Sequence, residues 1–245
     1  MRDRILSEIA SGALAPGERL GGERDLAEHY GVSRSTLRAA LGALETMGAV
    51  RRQSGRTGGT FVAARKVERD LRSMAGLPSY LRRQGFSADA RVLSTATVEA
   101  DAATAAALDL AVGALVLEIV RVRLADGEPI SYERARFPAA RFAGLLDHGL
   151  GGSLYELLQT NFGVEPGEAE EQIQIVGAGS AEARVLEVKR STPLVAIIRT
   201  AWDRDGRPFE HSHDLFRSDR VRIVVRTPAG ESAARGVAST IEVVA

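Results

Sequence analysis

The sequence lacks several features that would point to particular classes of protein. It contains no cysteine, which excludes disulfides and thiol chemistry. No apolar stretch approaches the ~20 residues that a membrane-spanning helix needs, and no signal peptide opens the chain. Lysine is almost missing, since Lys66 and Lys189 are the two lysines among 32 cationic residues. The absence of cysteine, of a long apolar stretch and of a signal peptide favours a cytoplasmic protein without a membrane partner.

The charge is balanced overall but unevenly distributed. The 245 residues carry 32 cationic and 32 acidic side chains. Residues 1–66 hold eleven of the cations against seven acids, so the remainder holds twenty-one against twenty-five. The length allows two ordinary domains, and the basic N-terminal one is the part expected to meet nucleic acid.

Residues 22–62 have the pattern of a helix-turn-helix followed by a basic β-hairpin, and the helix pair is read from Asp25 onward. Leu26 and Ala27 face inward on a first helix, Gly31 allows a tight turn, and Ser33 can cap a second helix. Apolar residues recur in the second helix with the spacing of one buried stripe, at Leu37, Ala40, Leu41 and Leu44. Polar and cationic residues occupy the opposite face near its N-terminus, a pattern that suits the DNA major groove: Arg34, Ser35, Thr36 and Arg38.

A β-hairpin is predicted directly after this helix pair. Residues 49–53 and Gly59–Val62 read as two short strands around a glycine-rich tip, residues 54–58. A cationic hairpin of this kind can lie along a phosphate backbone or enter the minor groove. A surface hairpin with solvated arginines is the alternative.

The motifs of this segment resemble those of the GntR family of bacterial transcription regulators. They are Pro16-Gly-Glu-Arg-Leu20, Gly31-Val-Ser-Arg-Ser-Thr-Leu-Arg38 and Gly59-Thr-Phe-Val62. Family members usually carry Pro-Ser before the Glu-Arg of the first of these two helices, whereas this chain has Gly21-Gly22 and so lacks the serine cap. The resemblance implies a winged helix-turn-helix that binds a palindromic operator as a homodimer. The residues expected to contact DNA are Arg24, Ser33, Arg34, Ser35, Thr36, Arg38, Arg51, Arg56, Gly58 and Gly59.

The C-terminal part contains a degenerate internal repeat. Val116–Arg121 matches Leu194–Arg199 at an offset of 78 residues, and Asp126–Pro129 matches Asp205–Pro208 at an offset of 79. Each copy reads as a strand, an alanine-rich helix and a β-hairpin that turns at Asp-Gly. The pattern predicts an α+β domain with an antiparallel sheet and a cleft between its halves.

This part resembles the UTRA effector-binding domain, which defines the HutC branch of GntR regulators and shares the chorismate-lyase-like fold. The matching segments are Val122–Glu133, Gly152–Leu158, Arg199–Glu210 and His211–Arg220. We therefore expect four regions: a DNA-binding domain at 1–63, a linker at 64–78 with helical spacing interrupted at Gly76–Pro78, a UTRA domain at 79–228 and a tail at 229–245.

An anion site is expected around Arg121 and Arg123. They are two residues apart on one predicted strand and so project from one face, with valines on the other. Ser153 begins a further helix and adds a hydroxyl and free N–H groups. The resemblance implies that these three residues hold the phosphate of a sugar-phosphate effector, such as a phosphorylated amino sugar. The alternative is that the arginines pair with Glu118, Glu128 or Glu133 and that Ser153 only caps its helix.

The resemblance implies that four more residues surround the effector: Glu133, Tyr155, Glu210 and Phe216. Structural ion pairing of the two glutamates is the alternative. His211 and His213 could share a strand face, but no third ligand has suitable spacing, so we expect no metal, no cofactor and no catalytic residues.

Together these patterns predict a ligand-responsive transcription regulator, a repressor rather than an activator, whose effector is a phosphorylated sugar or another small anion. Two other functions remain open at this stage. One is a chorismate-lyase-like enzyme, although no nucleophile–base pair is evident. The other is a DNA binder with a vestigial ligand pocket.

Overall fold

The computed structural model describes residues 1–53, 59–63, 66–70 and 76–225. Its helices are α1 (Arg2–Ala10), α2 (Glu23–Tyr30), α3 (Arg34–Thr46), α4 (Leu77–Arg83), α5 (Ala102–Ala107), α6 (Leu154–Phe162) and α7 (Ser180–Val185). Its strands are β1 (Arg19–Gly21), β2 (Val50–Gln53), β3 (Gly59–Val62), β4 (Val67–Asp70), β5 (Ala88–Glu99), β6 (Leu115–Ala125), β7 (Glu128–Pro138), β8 (Pro166–Gly177), β9 (Pro193–Asp203), β10 (Pro208–Arg217) and β11 (Val221–Val224). A single 3₁₀ turn lies at Leu145–Asp147 in the described chain.

The N-terminal unit is the predicted helix-turn-helix with a three-stranded sheet in the order β1-β3-β2. Gly31 ends α2 in the left-handed conformation at φ 65°, and Ser33 caps α3 by accepting a hydrogen bond from the Thr36 N–H. The stripe of α3 is buried as predicted and packs with Ile5 and Val50. Gly22 is the N-cap of α2 and provides no side-chain hydrogen bond, as its position in the sequence predicted.

The C-terminal unit is an antiparallel six-stranded sheet in the order β5-β6-β7-β10-β9-β8. The two repeat copies, β5-α5-β6-β7 and β8-α7-β9-β10, therefore meet at the β7–β10 pair in the middle of the sheet. Each hairpin turns at the predicted Asp-Gly, where Gly127 and Gly206 have φ values of 79° and 75°. The predicted α+β class and repeat organisation are confirmed.

The two faces of this sheet carry different layers. One face packs against α6 through a core that includes Ile119, Ala135 and Leu154. The opposite face packs against α7 through Val122, Ala183 and Leu186. Because residues alternate between the faces of a strand, Arg121 and Arg123 point to the α6 side while Val122 lies on the α7 side. The predicted division of this strand into a polar and an apolar face is confirmed.

The helical spacing predicted after residue 64 is wrong for Val67–Asp70. These residues form β4, which pairs in parallel with β11 from Val221 to Val224. Val67 and Arg69 are buried and Glu68 is exposed, so the burial period is two, as in a strand. Leu77–Pro78 begin α4 rather than interrupt a helix, because proline is well tolerated in a first turn. The wing tip at 54–58, Leu71 and Met74 of the linker, and the tail at 229–245 lie outside the described residues.

Candidate functional site

The first candidate site is the exposed face of α3 and the hairpin beside it. Arg34, Ser35 and Thr36 are exposed in the first turn of α3. The Ser33 hydroxyl lies 2.8 Å from the hydroxyls of both Ser35 and Thr36. The N-terminus of α3 therefore presents hydroxyls, an arginine and the positive end of the helix dipole on one surface, an arrangement suited to phosphates and base edges.

The other predicted DNA contacts that the structure describes lie on α2, α3 and the two hairpin strands. Arg38 donates to the Glu23 carboxylate at 2.6 Å, and Arg24 is exposed beside Asp25. Arg51 is exposed on β2 with its guanidinium 4.8 Å from the centre of the Phe61 ring. Gly59 begins β3 at φ 154°, and a Cβ there would lie 2.8 Å from Arg19 Nε. Arg56 and Gly58 belong to the tip outside the described residues.

The second candidate site is a cavity of about 70 Å³ between the central sheet and helices α4 and α6. Its floor follows from strand register. Arg121 of β6 pairs with Glu133 of β7, which pairs with Asp214 of β10. In the next row Arg199 of β9 pairs with Ser212 of β10. All five side chains line the cavity, which brings together residues 93 positions apart in the chain.

Glu133 joins the two predicted anion-binding arginines. Its Oε2 accepts from Arg121 Nη2 at 2.7 Å and from Arg123 Nη2 at 3.1 Å, and its Oε1 accepts from Arg123 Nε at 3.2 Å. Of the carboxylates considered as partners for this pair, Glu133 is the one that binds it, because Glu118 pairs with Arg136 and Glu128 with Arg220. Burial alone would raise the pKa of Glu133, but the adjacent Arg123 and Arg121 lower it to about 2.

The two arginines differ in how much of their donor capacity is used. Arg121 Nη1 donates to the carbonyls of Leu150 and Gly152, which fixes the loop before α6. Arg123 is 2% exposed, lines the cavity and uses Nε and Nη2 on Glu133. Within the part of the chain that the structure describes, its Nη1 donates no hydrogen bond. A buried guanidinium with an unused end is a suitable partner for an anion.

Ser153 stands where the sequence placed it, as the N-cap of α6. Its Oγ accepts from the Glu156 N–H at 3.3 Å and also lines the cavity. Gly76, before α4, approaches it closely, since a Cβ on Gly76 would lie 3.3 Å from this Oγ. Ser153 thus caps its helix, as the alternative proposed, and also presents its hydroxyl to the cavity.

Tyr155 and Glu210 also meet at the cavity. The Tyr155 hydroxyl donates to Glu210 Oε2 at 2.5 Å, and the Arg199 guanidinium lies 5.3 Å from the centre of the Tyr155 ring. Burial and then the nearby Glu210 charge raise the pKa of Tyr155, and burial raises the pKa of Glu210. These groups add a tyrosine–carboxylate hydrogen bond to the lining of the cavity.

Phe216 has a different position from the one expected. It is fully buried in a core with Leu77, Tyr80 and Ile197 and does not line the cavity. Its ring supports Arg69, whose guanidinium lies 5.2 Å from the ring centre. The structure therefore places Phe216 behind a cavity residue, with no hydroxyl and no direct access to the cavity.

Sequence reasoning missed three charged residues of the cavity, Arg69, Arg199 and Asp214. Arg69 reaches it from the linker strand and pairs with Glu171 at 2.5 Å, and Arg199 pairs with the same carboxylate at 3.3 Å. Arg199 could have been found, because it is the repeat counterpart of Arg121 at the offset of 78 residues. Each half of the repeat thus contributes one arginine to the cavity floor, and the two arginines occupy equivalent positions in the repeat.

His211 and His213 lie on the opposite face of β10 from Ser212 and Asp214. They line a second cavity of about 240 Å³ with Arg134 and Arg136, against α5. His211 Nδ1 is 3.2 Å from the Thr200 hydroxyl. No metal-binding group of three suitable side chains occurs among the described residues. In those residues, no helix is long and apolar enough to cross a membrane.

Comparison with known proteins identifies both parts of the chain. Residues 1–62 match the model of bacterial regulatory proteins of the gntR family, and residues 83–222 match the UTRA domain. The HTH-type transcriptional repressor NagR of Bacillus subtilis is 28% identical over 222 residues, which cover 91% of this chain and 90% of that protein. The HTH-type transcriptional repressor PhnF of Mycolicibacterium smegmatis is 32% identical over 234 residues, 94% of this chain and 91% of that protein.

The structural comparison agrees. The crystal structure of PhnF from Mycobacterium smegmatis matches with a TM-score of 0.73 at 30% identity, over 93% of this chain and 97% of the other. The helix-turn-helix, the central sheet and the order of the two domains are thus those of a solved regulator. The chain belongs to the gntR family of bacterial regulatory proteins, in its HutC branch, and is a DNA-binding transcription regulator with a C-terminal UTRA effector-binding domain.

Proposed function

We propose that this protein is a cytoplasmic, homodimeric repressor of a metabolic operon, released from a palindromic operator when a small anion binds the cavity beside α6. It acts as a regulator and not as an enzyme. Its relatives support the direction of control, since they include repressors named for fructoselysine utilization and for mannosyl-D-glycerate transport and metabolism, both from Escherichia coli.

The main evidence for an anionic effector is the buried Arg123 side chain, which has an unused hydrogen-bond donor at the cavity. This side chain is 2% exposed and faces the cavity, and its Nη1 has no hydrogen-bond acceptor in the described chain. The Ser153 hydroxyl and the N-terminus of α6 lie at the same cavity. A phosphate or carboxylate would accept from these donors and offset the cost of burying the guanidinium. A phosphorylated sugar has the required charge and hydroxyls for Glu210 and Tyr155.

The DNA-binding part of the proposal rests on the exposed N-terminus of α3. Two copies related by a twofold axis would place two such helices on the two half-sites of a palindrome. Edge strand β8 exposes Ile175 at 69% and Ile173 at 41%, an apolar surface that a second copy could cover. Effector and operator must each weaken the other's binding by the same factor, and a coupling of about 1–3 kcal/mol would give about 5–150-fold release.

The test is operator binding by fluorescence anisotropy, with DNA from the region upstream of the gene. The complex is titrated with glucosamine 6-phosphate, its N-acetyl form, glucose 6-phosphate and inorganic phosphate. We expect at least one phosphate to release the wild-type protein. Arg123→Ala should bind the operator normally and no longer respond, whereas Arg190→Ala, an exposed arginine away from both sites, should behave as wild type. An Arg123→Ala protein with an undiminished response would refute the anion site.

A further inference from the structure

Two arginines and two histidines meet on the face of the sheet that is turned away from the cavity beside α6. Strands β7 and β10 pair in register, so that Arg136 lies opposite His211 and Arg134 lies opposite His213. Because the two residues on each strand are two positions apart, all four side chains project from the same face. They line the cavity of about 240 Å³ against α5, which is larger than the cavity of about 70 Å³ beside α6.

The two arginines of this cluster are unequally paired. Arg136 Nε donates to Glu118 at 2.9 Å, and its Nη1 donates to Asp101 at 2.8 Å. Arg134 Nε lies 3.9 Å from Glu118, too far for a hydrogen bond, and Arg134 Nη2 makes a long one of 3.4 Å to the Tyr132 hydroxyl. Within the described chain the buried Nε of Arg134 has no hydrogen-bond partner. Arg134 therefore keeps donors for a group that the described residues do not supply.

The two histidines also have unused ring nitrogens at this cavity. His211 Nδ1 lies 3.2 Å from the Thr200 hydroxyl. The other ring nitrogen of His211 and both nitrogens of His213 make no hydrogen bond to any residue that the structure describes. A neutral imidazole offers one N–H donor and a protonated imidazole offers two. A ligand with several acceptor oxygens and a negative charge is the partner that best satisfies such a set of donors.

The charges around the histidines make this cluster sensitive to an anion. The charged groups that face the two rings from neighbouring elements are Arg134 and Arg136 of β7, Asp101 before α5 and Glu182 of α7. Burial, and then the arginine on the paired strand, lowers the pKa of each ring, whereas the two acids act in the opposite direction. An anion among these groups would offset the repulsion by the arginines. It should therefore raise the pKa of both rings and bind more tightly as the pH falls.

We propose that this cluster is a second anion site, which binds a small doubly charged oxyanion such as phosphate or sulfate between Arg134 and His213, with His211 and Arg136 beside it. The site is separate from the cavity beside α6, because the two use opposite faces of β7 and β10. It goes beyond the proposed function, since it requires neither an effector in that cavity nor binding to DNA.

Histidine NMR tests this site directly, because the chain has four histidines, His29, His148, His211 and His213. The full-length protein is prepared with isotope-labelled histidine, and the pKa of each imidazole is measured in sulfate and in chloride of equal ionic strength. Sulfate is the probe, because its charge stays constant over the pH range in which imidazoles titrate. His148 is exposed and does not line this cavity, so it serves as the internal control.

The variants separate this cluster from the rest of the protein. Arg134→Gln and His213→Asn change the cluster, and the second also assigns the His213 signal. Arg91→Gln is the matched control, since Arg91 is exposed on β5 and does not line the cavity. Arg123→Ala removes the anion site proposed for the other face of the sheet.

We expect sulfate to raise the pKa of His213 in wild type by about one unit, as a tenfold preference of the anion for the protonated ring would give. The pKa of His211 should shift in the same direction and that of His148 should not. Arg134→Gln should abolish the shift of His213, and His213→Asn should reduce that of His211. Arg91→Gln and Arg123→Ala should both retain the wild-type response.

An unchanged His213 pKa in wild type, or an equal shift of His148, would overturn the second anion site. A His213 shift that persists in Arg134→Gln would refute the binding geometry. Loss of the shift in Arg123→Ala would place the anion in the cavity beside α6 instead. None of these measurements involves release from the operator, so failure of this inference and failure of the proposed function are distinguishable.

Discussion

Asp109 and Glu187 occupy matching positions in the two halves of the repeat, and both have left-handed backbone conformations, with φ values of 53° and 56°. Each follows the short helix of its repeat, α5 or α7, and directs the chain toward the next strand. Aspartate tolerates this conformation better than glutamate, because its short side chain can bond the local backbone. The same turn is therefore built at unequal conformational cost in the two copies.

Glu187→Gly should raise the free energy of unfolding by about 0.5–1 kcal/mol, because glycine relieves the left-handed strain and loses only part of that gain to chain entropy. Asp109→Gly should have little effect. Ala106→Gly, inside α5, is the control for glycine in a helix and should destabilise by about 1 kcal/mol. Urea denaturation gives all three values. A Glu187→Gly protein less stable than wild type would show that the turn is not strained.

Glu133→Gln should destabilise the protein by about 3 kcal/mol at neutral pH, because two buried guanidiniums lose their shared carboxylate. Added phosphate should recover more stability in this variant than in wild type, since the freed arginines can bind it. Chloride at equal ionic strength is the control, and thermal denaturation gives the comparison. Unchanged stability without phosphate would contradict the structural role of the Arg121–Glu133–Arg123 cluster.

Asp214 should make the protein less stable as the pH rises. Because burial and the nearby Glu133 raise the pKa of Asp214 to about 8 in the folded protein, against about 4 in an unfolded chain, the folded state binds the extra proton between these values. Its contribution to the free energy of unfolding is full below pH 4 and is lost toward pH 8, by up to about 1.4 kcal/mol per pH unit.

Asp214→Asn removes this titration. The free energy of unfolding of the variant should therefore rise relative to that of wild type between about pH 5 and pH 8, a range that lies between the unfolded and folded pKa values of Asp214. Urea denaturation of both proteins at each pH measures the change. The control Asp89→Asn, at an exposed aspartate of β5, should follow wild type. Parallel pH profiles of wild type and Asp214→Asn would mean that Asp214 is already charged at neutral pH.

Arg34→Ala should weaken operator binding by about 1–3 kcal/mol if this exposed residue at the start of α3 contacts a base edge. If Arg34 instead contacts a phosphate, its loss should lower the slope of log affinity against log salt concentration by about one, equally for every DNA sequence tested. Fluorescence anisotropy with operator and scrambled DNA at several salt concentrations separates the two. Arg190→Ala is the cationic control. Normal operator affinity in Arg34→Ala would exclude Arg34 from the interface.

Local patterns in the sequence predicted those parts of the fold that depend on neighbouring residues. The Ser33 cap, the buried stripe of α3 and the Asp-Gly hairpins all follow from residues within a few positions of one another. Strand β4 was not predicted, because its partner β11 lies about 150 residues later and local sequence patterns do not report pairing over such a separation. Val67–Asp70 is also too short a segment for its period of two to be distinguished from the helical spacing of the apolar residues that follow it.

In the candidate site, too, the features set by neighbouring residues were predicted and those set by the pairing of distant segments were not. Alternation on one strand predicted that Arg121 and Arg123 share a face, and the structure confirms it. Which carboxylate meets them depends on the register between β6 and β7, so Glu118, Glu128 and Glu133 could not be separated from the sequence. Asp214 and Arg69 reach the cavity only through pairing across several strands and through the linker strand. Phe216 was placed by its position in a motif, and its burial behind Arg69 depends on packing.

The parallel pairing of β4 with β11 has a consequence for the order of events during biosynthesis. The DNA-binding unit leaves the ribosome first and can fold while synthesis continues. The strand that follows it cannot pair until Val221–Val224 have been made, near the end of the described chain. A nascent or prematurely terminated chain would therefore carry a folded DNA-binding unit on an unanchored linker strand. Such a fragment could occupy DNA without answering to an effector, so control of this regulator begins only after Val221–Val224 have been made.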